Sequence, residues 1–269
     1  MEREFASGSG SSGVAYRSLA RAIEARQLQT AIADAVFVDV DEPVAQAITV
    51  LRENRFDQAP ARRKGRLVGH VVTEELLLGR LAVHRLDETS ILSGAGSILD
   101  VMQSLLAPTL LTFVVDGHAV TGFITPSDLN KHPARAHFYL LLADLEIALA
   151  GAARAHFDNQ NDALELLEAK DRKKIRNRYD RDSRQKVEVD LVAGMDLEHL
   201  LRIAGSDAGL RQRFGVPDAS TWALWTEPLP SLRNAVMHPV LEFLGRRRSI
   251  DDLVTIERRV REMLEHAVA

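Results

Sequence analysis

The chain has 269 residues, 46% of them hydrophobic and 27% charged, with a formal net charge of -4. That length suits two domains, the apolar fraction excludes a disordered chain, and so small a net charge decides nothing about nucleic acid. Cysteine is absent, which excludes disulfides, thiolate nucleophiles and thiolate metal sites.

Residues 1–13 end in a Gly/Ser tract from Ser7 to Gly13, which reads as a flexible linker outside the fold. No apolar run approaches the roughly 20 residues that span a bilayer. The N-terminus also lacks a charged stretch followed by an apolar one, so a cytoplasmic protein with no membrane association is expected. From Val14 to about Ala35, Leu19, Ala22, Ile23 and Leu28 form a narrow apolar stripe among arginines, the pattern of a lead-in helix.

Residues 36–132 alternate short β-rich and helical runs. Val36–Val40 predicts a strand, Pro43 opens a helix through Ala47, Val50 and Leu51, and Arg66–Val72 predicts a paired strand. The order then recurs. Ser97 starts a helix through Leu99, Met102, Leu105 and Leu106, and Leu110–Val115 and Val120–Ile124 predict two strands around an Asp116-Gly117 turn. Leu67–Thr73 and Ala119–Thr125 occupy equivalent places roughly 53 residues apart, so 14–132 holds a tandem α/β repeat.

The repeat resembles a pair of cystathionine-β-synthase (CBS) domains, on the run Gly122-Phe123-Ile124-Thr125-Pro126-Ser127-Asp128, which fits the family's Gly-x-x-Thr-x-x-Asp ahead of a helix. The resemblance implies that Thr125 and Asp128 hold the phosphate and ribose of an adenine nucleotide, a regulatory ligand. A carboxylate can accept both ribose hydroxyls, but Asp128 equally suits the cap of a helix starting near Leu129. The first repeat departs from the pattern: Thr73 is shifted by one place and Glu75 stands where the Asp would be. Such a pair also serves in many proteins only as a dimerisation platform.

After Pro133 the strand signals stop. Phe138, Leu141, Leu142, Leu145 and Leu149 predict an amphipathic helix over 135–157. Further helices are expected over Asn161–Ala169, Val187–Ala193, Leu197–Ala204, Leu232–Leu244 and Ile250–His266, separated by Gly205, Gly215, Pro217, Pro228 and Pro230. The fold class is therefore α+β, with an α/β repeat over 14–132 followed by an all-α domain over 133–269. Lys170–Lys186 carries nine Lys or Arg against three Asp. Such a run is a phosphate-attracting stripe, with Tyr179 as a stacking surface, or a solvated helix face. Trp222 and Trp225 read as core anchors.

Ser231–Pro239 places a permanent cation, Arg233, an amide, Asn234, and a titratable imidazole, His238, within six residues. Positions five apart on a helix lie roughly 140° apart, so Arg233 and His238 share a face only if the helix bends, and Pro239 supplies a reason to bend. The bland reading is a surface Arg and a His that precedes a proline. The helical half resembles the HEPN superfamily, whose ribonuclease members carry an Arg, a polar residue beside it and a His four to six positions on; Arg233-Asn234-Ala235-Val236-Met237-His238 matches.

That resemblance implies a metal-independent endoribonuclease acting on RNA. His238 would be the general acid or base, Arg233 would stabilise the charge on the phosphorane, and Asn234 would orient one of them or hold a phosphate oxygen. It also implies a homodimer with a composite site, and a role in stress response or phage defence. The residues name no antitoxin. Asp144 or Glu146 is placed to pair with Arg233, or is a surface carboxylate. The remaining histidines, 70, 84, 118, 132, 137, 156, 199 and 266, lack metal-ligand spacing, so no catalytic metal is expected. The alternative is a non-catalytic nucleotide-sensing protein whose helical domain binds RNA or dimerises.

Overall fold

A computed structural model describes residues 23–106, 110–185, 189–238, 240–241, 243–245 and 248–268. The Gly/Ser linker and the first part of the expected lead-in helix lie outside the described residues. Two compact units emerge: residues up to Arg135 with Leu244–Asp251, and Ala136–Phe243 with the helix continuing from Asp252. Asn130 holds Leu244 in the first unit by two hydrogen bonds, Nδ2 to the Leu244 carbonyl and the Leu244 N–H to Oδ1, both at 3.2 Å.

The first unit contains two four-stranded sheets of matching design. One runs β2 (Val38–Asp39), β3 (Gln58–Arg63), β4 (Arg66–Val72), β5 (His84–Arg85), and the other β6 (Ile91–Ser93), β7 (Thr112–Asp116), β8 (Ala119–Ile124), β1 (Thr30–Ala31). Helix α1 (Val44–Asn54) follows β2, α2 (Thr73–Leu77) follows β4 and α3 (Ile98–Ser104) follows β6. The strands are exchanged: β1, which precedes the first repeat, pairs with β8 of the second, and β5, which precedes the second, pairs with β4 of the first.

Residues 25–35 are not helical as the arginine-flanked stripe predicts. Short 3-10 turns at Ala25–Gln27 and Ile32–Asp34 flank β1, where Thr30 pairs with Phe123 and Ala31 with Gly122. Sheet pairing has overridden a weak helical period, and the apolar residues serve it anyway, since Ala25 and Leu28 are fully buried. Ser97 does cap α3, through a capping box with Asp100.

The second unit is all-helical: α4 (His132–His156, whose first turn belongs to the other unit), α5 (Gln160–Glu165), α6 (Ala169–Arg184), α7 (Leu197–Ser206), α8 (Ala208–Arg213), α9 (Ala219–Thr226), α10 (Leu229–Met237) and α11 (Ile250–Val268). Its core combines Phe138, Leu141, Leu145 and Leu149 of α4 with Phe214, Trp222, Leu232, Phe243, Leu253, Val260 and Met263. Trp222 donates its indole N–H to the Leu201 carbonyl at 3.1 Å and packs edge-on against Phe214. Among the described residues α4 is long and apolar enough to cross a membrane, with mean hydropathy 1.4 over its most apolar window, although Asp144, Glu146 and Arg154 interrupt the run. The expectation that no such run exists is corrected here. Of that window 44% is buried inside the protein.

Two expected helices differ, and two short ones were not expected. Residues 189–194 form only a 3-10 turn at Val192–Gly194, because Asp190 Oδ1 accepts the Ala193 N–H at 2.8 Å and Gln160 Oε1 accepts the Leu191 N–H at 2.9 Å, giving the backbone partners outside a helix. Residues 187–188 lie outside the described residues. The helix expected over Leu232–Leu244 starts earlier, with Pro230 in its first turn, and stops at Met237 because the residue before a proline is driven out of the helical region. The two short helices α8 and α9, capped by Asp207 and Asp218, have too few turns for a periodic signal.

Candidate functional site

The Arg-Asn-x3-His motif closes α10 rather than opening it. Leu232, Ala235 and Val236 face the core, Arg233 is half-buried beside them, and Asn234 is exposed. His238 is the C-cap, with φ -113° and ψ 93°, exposed, and its backbone N–H still bonds the Asn234 carbonyl at 3.1 Å. The imidazole thus leaves the helix at its end, as the proline predicts.

Arg233 lines a pocket of about 430 Å³ with Glu146 of α4. The walls are apolar: Leu142, Ala143, Ile147 and Ala150 of α4, Val192 and Met195 of the following turn, Leu200 of α7, and Val236 and Met237 of α10. Arg154, also on the wall, is held by Asp190 through two bonds at 2.6 and 3.1 Å. Arg233 has no such partner at contact distance among the described residues, but its charge reaches Glu146. Burial pushes the Glu146 carboxyl above the ordinary range, Arg233 pulls it back, and Asp196 adds to the rise. Of the two acidic residues proposed as partners, Glu146 shares the pocket with Arg233; Asp144 does not line it. The structure therefore brings together Arg233 and Glu146, and His238 is not among the residues lining that pocket.

The basic run forms helix α6, and most of its cations are already engaged. Lys170 pairs with Glu168, Arg172 with Glu165, Arg181 with Asp182, and Arg176 reaches Asn161 and Glu165, while Arg178 donates to the Gly194 carbonyl at 2.9 Å. Among the described residues Lys173, Lys174 and Arg184 are exposed and unpaired. Lys186 lies outside the described residues.

In the α/β unit, Asp128 is 6% exposed and stands at the third position of the short 3-10 helix Pro126–Asn130, which Thr125 caps and with which Asp128 completes a capping box. Its Oδ2 accepts the Thr125 N–H at 2.7 Å and the Thr125 hydroxyl at 2.9 Å, while Oδ1 accepts the Thr30 hydroxyl at 3.2 Å and pairs with Lys131 at 2.7 Å. Both oxygens and the Thr125 hydroxyl thus hold the chain together. In the first repeat, Thr73 donates its hydroxyl to the Phe56 carbonyl at 2.6 Å and Glu75 pairs with His84 at 2.8 Å. A second cleft of about 460 Å³ lies beside Phe37 and Arg62 and includes neither Thr125 nor Asp128. Four basic residues among the five from Arg62 to Arg66, at a hairpin turn, are the sequence signal that would have found it. Among the described residues no three His, Asp or Glu side chains converge as a metal set.

No family model and no curated protein matches this chain. Solved structures similar to it are CBS-domain proteins. The CBS domain of the bacterial CNNM/CorC family Mg2+ transporter aligns at TM-score 0.37 and 16% identity over 46% of this chain and 82% of its own. A structure of that domain in complex with ATP aligns at TM-score 0.37 and 16% identity over 45% and 93%. A hemolysin-like protein containing a CBS domain from Oenococcus oeni PSU aligns at TM-score 0.35 and 18% identity over 42% and 94%. Likenesses of this size carry no inference about activity.

Proposed function

We propose that the chain is a metal-independent endoribonuclease of HEPN type, with Arg233, Asn234 and His238 in a dimeric composite site, regulated by an adenine nucleotide bound to the α/β repeat. One observation carries the reading: a half-buried guanidinium beside Glu146 in an apolar pocket, on the same helix that ends in an exposed imidazole. An arginine with no committed ion pair is available to a phosphate. The ribose 2′-oxygen attacks phosphorus, its proton passes to a His238 imidazole, the 5′-oxygen leaves with a proton from the second subunit's imidazole, and a cyclic phosphate remains. Arg233 stabilises the equatorial oxygens as charge builds there. Asn234, exposed one residue on, orients the phosphate.

Cleavage of a labelled RNA in EDTA tests this. Arg233→Ala and His238→Ala are each expected to lower the rate by about 100-fold or more, the usual cost of losing a preorganised charge or a general acid-base group. Equal cutting by wild type and both variants would identify a contaminant and remove the proposal. The non-catalytic reading has one observation in its favour: the motif runs directly into exposed apolar residues, Met237 at 43%, Val240 at 93% and Leu241 at 48%, which suit a dimerisation or partner surface. No cutting by wild type, with dimerisation lost in Val240→Asp, would favour it.

A further inference from the structure

We infer that the α/β unit takes a nucleoside polyphosphate in the cleft beside the β3–β4 hairpin, the base lying against Phe37 and the phosphates on the hairpin cations. This rests on the nucleotide-sensing part of the proposed function and moves its site away from Asp128. The cleft, about 460 Å³, is within the size range of small-molecule pockets, and its walls are Ile32, Phe37, Leu67, Leu86 and Val120. Arg62 lies over the Phe37 ring, its guanidinium carbon 5.7 Å from the centroid. The cleft thus has a flat aromatic wall and a cation at its mouth, the pair of features that takes a planar base with an anionic tail.

The hairpin supplies the rest of the charge. Arg62, Arg63, Lys64 and Arg66 are all exposed around a two-residue turn. Lys64 and Gly65 both have positive φ, 49° and 74°, the signature of a type I′ turn. Lysine is an uncommon occupant of that position, and the turn is pinned by the Lys64 N–H to Asp41 Oδ2 at 3.2 Å. Asp39 and Asp41 pair with Arg62 and Arg63 through Nε at 3.4 and 3.5 Å. Lys64 and Arg66 have no ion pair among the described residues. Four cations against two carboxylates leave a local positive surplus in a protein whose net charge is negative. A chain of phosphates matches that surplus; a neutral ligand or a lone adenosine does not. At the other end of β8, by contrast, each Asp128 oxygen already has two partners.

The test is calorimetry on the full chain with ATP, AMP and inorganic triphosphate. The variants are Arg62→Met, which keeps bulk over Phe37, the double change Lys64→Asn with Arg66→Gln, and Asp128→Asn. Asparagine tolerates positive φ, so the turn survives the double change. Wild type is expected to bind ATP more tightly than AMP or triphosphate, and each hairpin variant to weaken ATP about tenfold, the loss of one or two charge-assisted contacts. Asp128→Asn, with its circular dichroism unchanged, is expected to keep ATP affinity within about threefold, because no cleft contact is removed. Loss of ATP binding in Asp128→Asn alone would overturn this inference and leave the nucleotide sensor standing at Asp128. Equal affinity for triphosphate and ATP would overturn the role given to Phe37. No binding of any of the three by wild type would remove the sensor reading itself.

Discussion

His70 is 1% exposed, and neither ring nitrogen has a hydrogen-bond partner among the described residues. It stacks on the His84 ring at 4.9 Å, and His84 is held by Glu75. Burial, and then the neighbouring His84, drop the His70 pKa to about 4, against smaller upward pulls from Glu75 and Asp87. The folded value lies below the unfolded one, so the unfolded chain binds the proton first. Stability is therefore complete above pH 6.5 and falls as the pH drops toward 4, by up to about 3 kcal/mol from this residue. His137, fully buried and lowered to about 3 by burial and then by Arg261, acts with the same sign in the helical unit. Urea midpoints between pH 7.5 and 4.5 should fall in wild type and fall clearly less in His70→Leu. A parallel fall would show that His70 is not responsible. None of this could be read in the sequence, where His70 is one histidine of nine. Burial depends on which strand lies across it, and two-residue strands such as β5 carry no period.

At the scale of elements, the repeat was legible because both copies solve one packing problem in the same way. Gly69 and Gly122 occupy equivalent places, each next to a register slip in its hairpin, between Ala61 and Arg62 and between Val114 and Val115. Each also lies under an exchanged strand. A Cβ on Gly69 would stand 1.9 Å from the His84 carbonyl oxygen, and one on Gly122 2.5 Å from that of Thr30. Backbone cannot yield that far, so Gly69→Ala and Gly122→Ala should each cost about 2 kcal/mol or more. Gly65→Ala, with nothing within 4 Å of its Cβ but φ +74°, should cost only about 1 kcal/mol. Thermal denaturation of the three variants checks the ranking. What the sequence hid is the partner: alternating hydrophobicity marks a strand without saying which strand it meets. The same limit applies to the site, where Arg233 and a carboxylate of α4 were legible as candidates, but the choice between Asp144 and Glu146 needed the turn of the helix.

For the whole molecule, charge is the property that composition describes worst. A net charge of -4 conceals two positive patches, at the Arg62–Arg66 hairpin and on α6. The α6 stripe counts nine cations in the sequence, yet only Lys173, Lys174 and Arg184 are unpaired among its described residues, because intramolecular carboxylates and, for Arg178, the Gly194 carbonyl reach the others first. Ion pairs with residues far along the chain, such as Asp171 with Arg202 at 3.1 Å, cannot be foreseen from a charge run. Single-stranded RNA binding should accordingly follow log[salt] with a slope near -2, the value for about three neutralised phosphates, rather than the slope of about -6 that nine would give. A steep slope in filter binding would mean that RNA displaces the internal carboxylates.

The exchange of β1 and β5 bears on how this half of the chain could be dissected. Either repeat excised at the loop between them would leave behind the strand that covers its glycine and carry off one cut to fit its neighbour. A lone half is thus a mismatched fragment with a bare sheet edge, and we expect it to recruit a second copy of itself to close that gap. The two halves are a single folding unit, to be deleted or transplanted only together.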